Sequence, residues 1–260
     1  MKRFKLAVWI FAVLAIVALP VVYAATVKSL DVERSSSQYA SIADGSQTGL
    51  DITENITVEA WIKMESLPTS GAEWNVVGKW ANAGNVGQSY ALNVYDVSGD
   101  VVLRGIVGDG SAFGYLTSTP GFQAGIWYHI AFSWKAIDGS MKLYVNGSDT
   151  GASNGGSVLS GILNGNGPFY IGSADFDGNG SADAHFDGLI DDARIWDTVR
   201  SPAEIANNYS AELTGAEAHL QGYWQLNNDY LDETSNNNDL TSSGSPVFSE
   251  SVPYIKIFNP

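Results

Sequence analysis

The chain has 260 residues, no Cys, and 28 carboxylates against 13 Lys and Arg side chains, a formal net charge of −15. So acidic a surface excludes nucleic acid and anionic lipid headgroups as partners. Without Cys the fold cannot lean on disulfides and must be held by its core or by a metal.

Met1-Lys-Arg-Phe-Lys5 precedes an apolar run from Leu6 to Val22 and the small-residue site Val22-Tyr-Ala24. That order is expected of an export signal cleaved after Ala24. Retained, the same run would be a membrane anchor near the minimum span of roughly 17 residues; either way the folded part lies outside the cytoplasm, secreted or at the cell surface. Cleavage leaves ten cations against 28 carboxylates, a net charge of −18, over residues 25–260. That length suits a single β-sandwich domain, and the excess carboxylates are raw material for calcium sites.

Period-two alternation then predicts strands. In Thr57 to Met64, Val58, Ala60, Ile62 and Met64 share one side and Thr57, Glu59, Trp61 and Lys63 the other. Tyr90, Leu92 and Val94 oppose Ala91, Asn93 and Tyr95; Tyr128, Ile130, Phe132 and Trp134 oppose Trp127, His129, Ala131 and Ser133; Leu143 and Val145 oppose Lys142, Tyr144 and Asn146. An aliphatic side beside a polar-aromatic side is what two packed antiparallel sheets require. The stretch Gly147 to Gly167 lacks a Lys after Gly and precedes no helix, so it reads as a loop and not a phosphate cradle.

Asp175-Phe-Asp-Gly-Asn-Gly-Ser-Ala-Asp183 sets oxygen donors at the first, third, fifth and ninth places of a calcium loop, with Gly180 at the sixth. Ser181 would give its carbonyl at the seventh place. The Glu expected at the twelfth is replaced by Phe186, so Asp187 is the candidate for the remaining ligand. The alternative is an acidic surface turn whose Asp and Asn side chains accept amide bonds.

Ser201-Pro-Ala-Glu204 is a capping box with Pro at the first helical position, predicting a short helix to about Tyr209. Asn227 to Ser245, rich in Asn, Asp and Ser, predicts a long turn before the last strand. Asn55, Asn146, Asn179 and Asn208 open glycosylation triplets, usable only if the host glycosylates.

One stretch is more specific. Trp127-Tyr-His-Ile-Ala131, a turn, and Leu143-Tyr-Val-Asn-Gly147 resemble the strand and hairpin of LamG-like jelly-roll domains of the concanavalin A-like lectin/glucanase superfamily. The likeness continues in order through Ser37-Gln-Tyr-Ala-Ser-Ile42, Thr57 to Lys63, Val77-Gly-Lys79, Phe169-Tyr-Ile-Gly172, Phe186 to Trp196, Ser201 to Ile205 and Gly222-Tyr-Trp-Gln-Leu226, with Asp232-Glu-Thr-Ser235 after it. It covers nearly the whole of residues 25–260. The resemblance implies an all-β, antiparallel two-sheet jelly-roll β-sandwich with one short helix near 202–209. It also implies a ligand face on the concave sheet, made of Trp61, Lys63, Asn93, Tyr95, Arg104, His129 and Tyr144, with Trp74, Trp80, Phe113 and Tyr115 as its rim.

Catalytic readings fare worse. Glycosidases of the superfamily carry a Glu-x-Asp-x-Glu-like strand, since retaining hydrolysis needs two carboxyls about 5 to 5.5 Å apart, and that pattern is missing. Asp187 and Asp191 are separated by roughly 13 Å of strand rise, and Asp191 and Asp192 point to opposite faces. His129, His185 and His219 lie in no nucleophile-elbow context. The sequence therefore favours a non-catalytic, calcium-stabilised module recognising carbohydrate or a glycosylated surface. A structural or adhesion module binding an envelope protein, and a divergent glycoside hydrolase or polysaccharide lyase, are the alternatives.

Overall fold

The computed structural model describes residues 27–81, 87–152 and 154–253; the export segment expected at residues 1–24 lies outside them. In chain order the strands are β1 (Ser29–Val32), β2 (Tyr39–Ile42), β3 (Ile56–Met64), β4 (Glu73–Ala81), β5 (Gly87–Val97), β6 (Asp100–Gly108), β7 (Phe113–Ser118) and β8 (Trp127–Lys135). There follow β9 (Ser140–Val145), β10 (Ser148–Asp149), β11 (Asn154–Gly156), β12 (Phe169–Ile171), β13 (Gly188–Trp196), helix α1 (Pro202–Asn208), β14 (Leu220–Trp224), β15 (Thr241–Ser243) and β16 (Val247–Ser249).

They build two antiparallel sheets in a jelly-roll sandwich. The first runs β10-β9-β8-β3-β13-β1-β16 and the second β11-β7-β6-β5-β4-β12-β2-β15. On the first sheet β14 also pairs with β13, sharing its edge with β1: β1 takes Gly188–Ile190 and β14 takes Ala193–Trp196. A bulge between Asp191 and Arg194, where Asp192 has φ 48, divides the two halves.

Alternation sends Ile56, Val58, Ala60, Ile62 and Met64 of β3 inward with no exposure, against Tyr90, Leu92, Val94, Leu103 and Phe169 of the second sheet. One close approach depends on glycine. A Cβ on Gly105 would lie 2.0 Å from Phe132 Cδ2, so the Phe132 ring seats directly on the β6 backbone, and the interior has no slack to accommodate more. Both flanks of the sandwich end in strands of two or three residues: β10 and β11 on one side, β15 and β16 on the other. Short edges of this kind offer little for another chain to pair with.

The capping box forms as read: Ser201 Oγ accepts from Glu204 N at 3.2 Å and Glu204 Oε2 accepts from Ser201 N at 2.7 Å. The helix lies on the outer side of the first sheet, with Ile205 packed on Ala131 and Tyr144. Two sequence expectations need correction. The 147–167 stretch contains β10 and β11, and the tail contains β15, because backbone pairing at a sheet edge asks nothing of side-chain hydrophobicity. Asp232 organises that tail, accepting from Tyr223 N, Thr234 N and Asn238 N, while Asn238 Nδ2 donates to Thr48 O at 2.9 Å.

Candidate binding face

The seven residues predicted for one face fall on two. Trp61 and Lys63 (β3), His129 (β8) and Tyr144 (β9) belong to the first sheet; Asn93 and Tyr95 (β5) and Arg104 (β6) belong to the second. Alternation assigns a residue to a side of its strand, but both sheets have an outer side, and nothing local tells them apart.

On the first sheet that outer side is roofed. Trp61, His129 and Tyr144 are buried beneath α1 and the residues after it. Trp61 Nε1 donates to Tyr209 O at 2.7 Å, and Arg194 donates to Asn208 O at 3.1 Å and Ala211 O at 2.6 Å, satisfying carbonyls the helix end leaves open. Lys63 Nζ donates to Ser251 Oγ at 3.2 Å. Beneath the roof Glu59 accepts from Trp196 Nε1 at 2.7 Å and faces His129 Nε2 at 3.2 Å. Burial works to raise the Glu59 pKa, but His129 and the Arg194 and Arg200 guanidiniums outweigh it and hold the carboxyl down at about 2. Burial pushes His129 below its usual value despite Glu59. Asp192 accepts from Tyr223 OH at 2.8 Å beside Arg194. Asp191 and Asp192 are both buried, at 0% and 1% exposure.

On the second sheet the outer side of β4 to β7 carries a different set. Trp80, Ala91 and Ile106 are buried under Ala174, Ala184, Tyr115 and Phe176, with the Phe176 ring stacked on Trp80 at 5.7 Å. Beside them the Arg104 guanidinium lies 4.8 Å over the Tyr95 ring and 5.9 Å from the Phe176 ring centre, and it pairs with Glu73. Asn93, fully buried, donates to the same Glu73 Oε1 at 3.1 Å. Burial raises the Glu73 pKa although Arg104 opposes it. Tyr95, Arg104, Tyr115 and Phe176 stay partly exposed and Phe113 is 48% exposed, leaving an aromatic surface beside one guanidinium. Asn93 therefore positions, and does not line, that surface. Trp80 forms its floor, whereas Trp74 faces the core against Phe186 and is no part of a rim. Glu73 and Phe176 were not among the sequence candidates; Glu73 stands opposite Tyr95 in register, a pairing that only the sheet order reveals.

The Asp175 loop borders this surface. Carboxylate oxygens of Asp175, Asp177 and Asp183 come within 4.8 Å of one another, and Asp175 is 1% exposed. Backbone amides fold the chain around them: Gly178 N and Gly180 N donate to Asp175, Phe176 N and Asp177 N to Asp183. Asn179 Oδ1 accepts from Ser181 N at 2.8 Å. Three hard carboxylates converging on one point, one of them taken out of water, fit a divalent cation such as calcium. Asp187 does not join them. Phe186 is drawn into the core, and Asp187 instead accepts from Arg34 N at 3.3 Å and from Ser66 Oγ. Sequence reasoning also missed a second acidic group, Asp31, Glu33 and Glu65, in which Glu65 comes from a distant part of the chain. A separate cleft of about 330 Å³ is lined by Asp51, Glu54, Asp197 and Gln221 among others, and holds none of the predicted site residues.

Comparison with known proteins agrees with this architecture. A family model described as the Concanavalin A-like lectin/glucanases superfamily matches residues 34–206. A putative carbohydrate binding protein from Bacteroides ovatus ATCC 8483 superposes with a TM-score of 0.61 at 18% identity, over 87% of this chain and 60% of that one. A heptameric SAP-like pentraxin from Limulus polyphemus gives 0.56 at 14% identity, over 88% and 98%. The CBM40 of a Ruminococcus gnavus IT-sialidase bound to α2,3 sialyllactose gives 0.50 at 15% identity, over 69% and 95%. In sequence, the Sushi, von Willebrand factor type A, EGF and pentraxin domain-containing protein 1 of Rattus norvegicus is 34% identical over 92 residues, 35% of this chain and 3% of that protein.

Proposed function

The chain belongs to the Concanavalin A-like lectin/glucanases superfamily, and from that premise we propose that it is an exported, non-catalytic module holding carbohydrate on the outer side of its second sheet. The observation that carries this reading is the contrast in cover. The partly exposed Tyr95 and Phe176 rings flank Arg104 on the second sheet, with Tyr115 packed on Trp80, Ala91 and Ile106 beside them, while α1 closes the first. Flat rings take the C–H faces of a sugar by apolar contact, and edge N–H groups bond its hydroxyls. The names of the Bacteroides ovatus protein and of the sialyllactose-bound module support a glycan partner.

Asp175, Asp177 and Asp183 would hold calcium, with Asn179 and the Ser181 carbonyl as further donors. The ion would brace the loop that carries Phe176 onto the sheet. At an ion concentration of about 100 times Kd it adds ~2.7 kcal/mol to the folded state, so chelation is expected to lower the melting temperature. No change on chelation excludes the ion.

Binding to an array of polysaccharides and oligosaccharides, in calcium, tests the main reading. We expect the wild type to retain at least one carbohydrate, and Tyr95→Ala and Tyr115→Ala each to weaken it by about tenfold. A folded wild type that retains none overturns the proposal.

A further inference from the structure

Resting on that carbohydrate reading, we propose that Glu73 sets the charge selectivity of the second-sheet surface: by occupying Arg104 it bars acidic sugars and leaves the face to uncharged ones. From Glu73 to Ser118, the whole of β4 to β7, the chain contains two cations, Lys79 and Arg104. Lys79 is fully buried between Asp44 and Asp51. Arg104 is the one cation of this stretch left to meet a ligand carboxylate or sulfate, and its Nη2 is already held by Glu73. Tyr95 and Phe176 cover its plane at 4.8 and 5.9 Å, and Glu73 holds its edge.

Bidentate recognition of an anion uses that edge. An acidic sugar taking Nη2 as one of its two contacts would have to displace Glu73, whose side chain is 27% exposed and is also bonded by the buried Asn93. The displaced carboxylate would then lose both partners, a cost that binding must repay. The surroundings reinforce the barrier. The adjoining stretch from Gly172 to Asp187 contains Asp175, Asp177 and Asp183 and no Lys or Arg. Glu73 and those three carboxylates, set against one guanidinium and one divalent ion, still leave a negative remainder. A neutral sugar asks for none of this: it stacks on the rings and takes up the N–H groups that point away from Glu73.

The test compares one oligosaccharide backbone in neutral and sulfated forms, by direct titration of the protein in calcium and again in chelator. The wild type is expected to bind the neutral form and to bind the sulfated form at least about tenfold more weakly in both conditions. Glu73→Gln keeps the shape and the Asn93 acceptor but releases Arg104, and should gain about tenfold or more for the sulfated form. Adding Arg104→Met should abolish that gain. Equal or tighter binding of the sulfated form by the wild type, or no gain in Glu73→Gln, overturns this inference while leaving carbohydrate binding intact. Binding of neither form, nor of any array member, overturns the carbohydrate reading itself. Should Glu73→Gln fail to fold, the wild-type comparison decides alone.

Discussion

The outer sides of the two sheets grow from the same alternation, yet one is shut and the other open. Above β3, β8 and β9, helix α1 and its following turn bury Trp61, His129 and Tyr144, and every charge beneath has to find a partner there: Glu59 with Trp196 and His129, Arg194 with helix-end carbonyls. Above β4 to β7 the cover is a loop reaching only as far as Phe176, so Tyr95 and Arg104 keep part of their surface in water. A polar, aromatic outer row therefore does not itself mark a binding face. What later chain lies across it decides.

Substitution should separate the two faces most sharply at their charges. Glu59→Ala leaves Trp196 Nε1 without its acceptor and takes a counter-charge from Arg194 in a dry interior, and is expected to cost about 3–5 kcal/mol in urea denaturation, whereas Arg104→Ala, with water at hand, should cost less than about 1 kcal/mol. Similar losses at the two positions would make both faces structural and break the contrast. The fit of the roof comes next. Gly147 has φ 76, and a Cβ there would lie 3.1 Å from Ala206 Cα, so Gly147→Ala should destabilise by about 1–2 kcal/mol. Removing the helix cap by Ser201→Ala should cost about 1 kcal/mol, read in the same denaturation experiment.

Acid sharpens the comparison with the smallest and most graded effect. The His129 pKa is depressed in the folded chain, so the fold favours the neutral ring, and that stabilisation drains away as pH falls below the usual 6.5. Glu59 adds a second loss between its ordinary 4.5 and about 2. Glu73 runs the other way: its pKa is raised, so protonation above 4.5 relieves the folded state. Melting temperatures measured from neutral to mildly acidic pH should fall in the wild type and fall less in His129→Gln. Equal slopes would remove His129 from the account.

Much of the architecture was legible because it is written in short range. The β3 and β8 alternations gave strands with the correct inward sides, and Ser201-Pro-Ala-Glu204 marked α1 to within a residue, since a capping box is satisfied within its own turn. The candidate site was legible only in pieces. Tyr95, Arg104 and the Asp175 loop do come together along the second sheet, but Trp61, His129 and Tyr144 had the same local pattern and a different neighbour, a helix sixty residues or more along the chain. Glu73 and Phe176 escaped for the same reason: each matters through a partner set by sheet order or loop path. Asp187 sat at a plausible loop position, yet its direction is dictated by Phe186 entering the core beside it.

The pairing of β1 with β16 carries a mechanical consequence. Ser29 faces Ser249, Leu30 faces Phe248 and Ser29 Oγ donates to Ser251 O at 2.7 Å, so both ends of the described chain emerge at one corner and run in opposite senses. Tension applied across those ends loads the ladder bonds one after another, as in opening a zip, and never all at once in shear. A tethered molecule would yield first at this seam, with the Tyr95 and Arg104 surface on the interior strands β5 and β6 of the other sheet still intact.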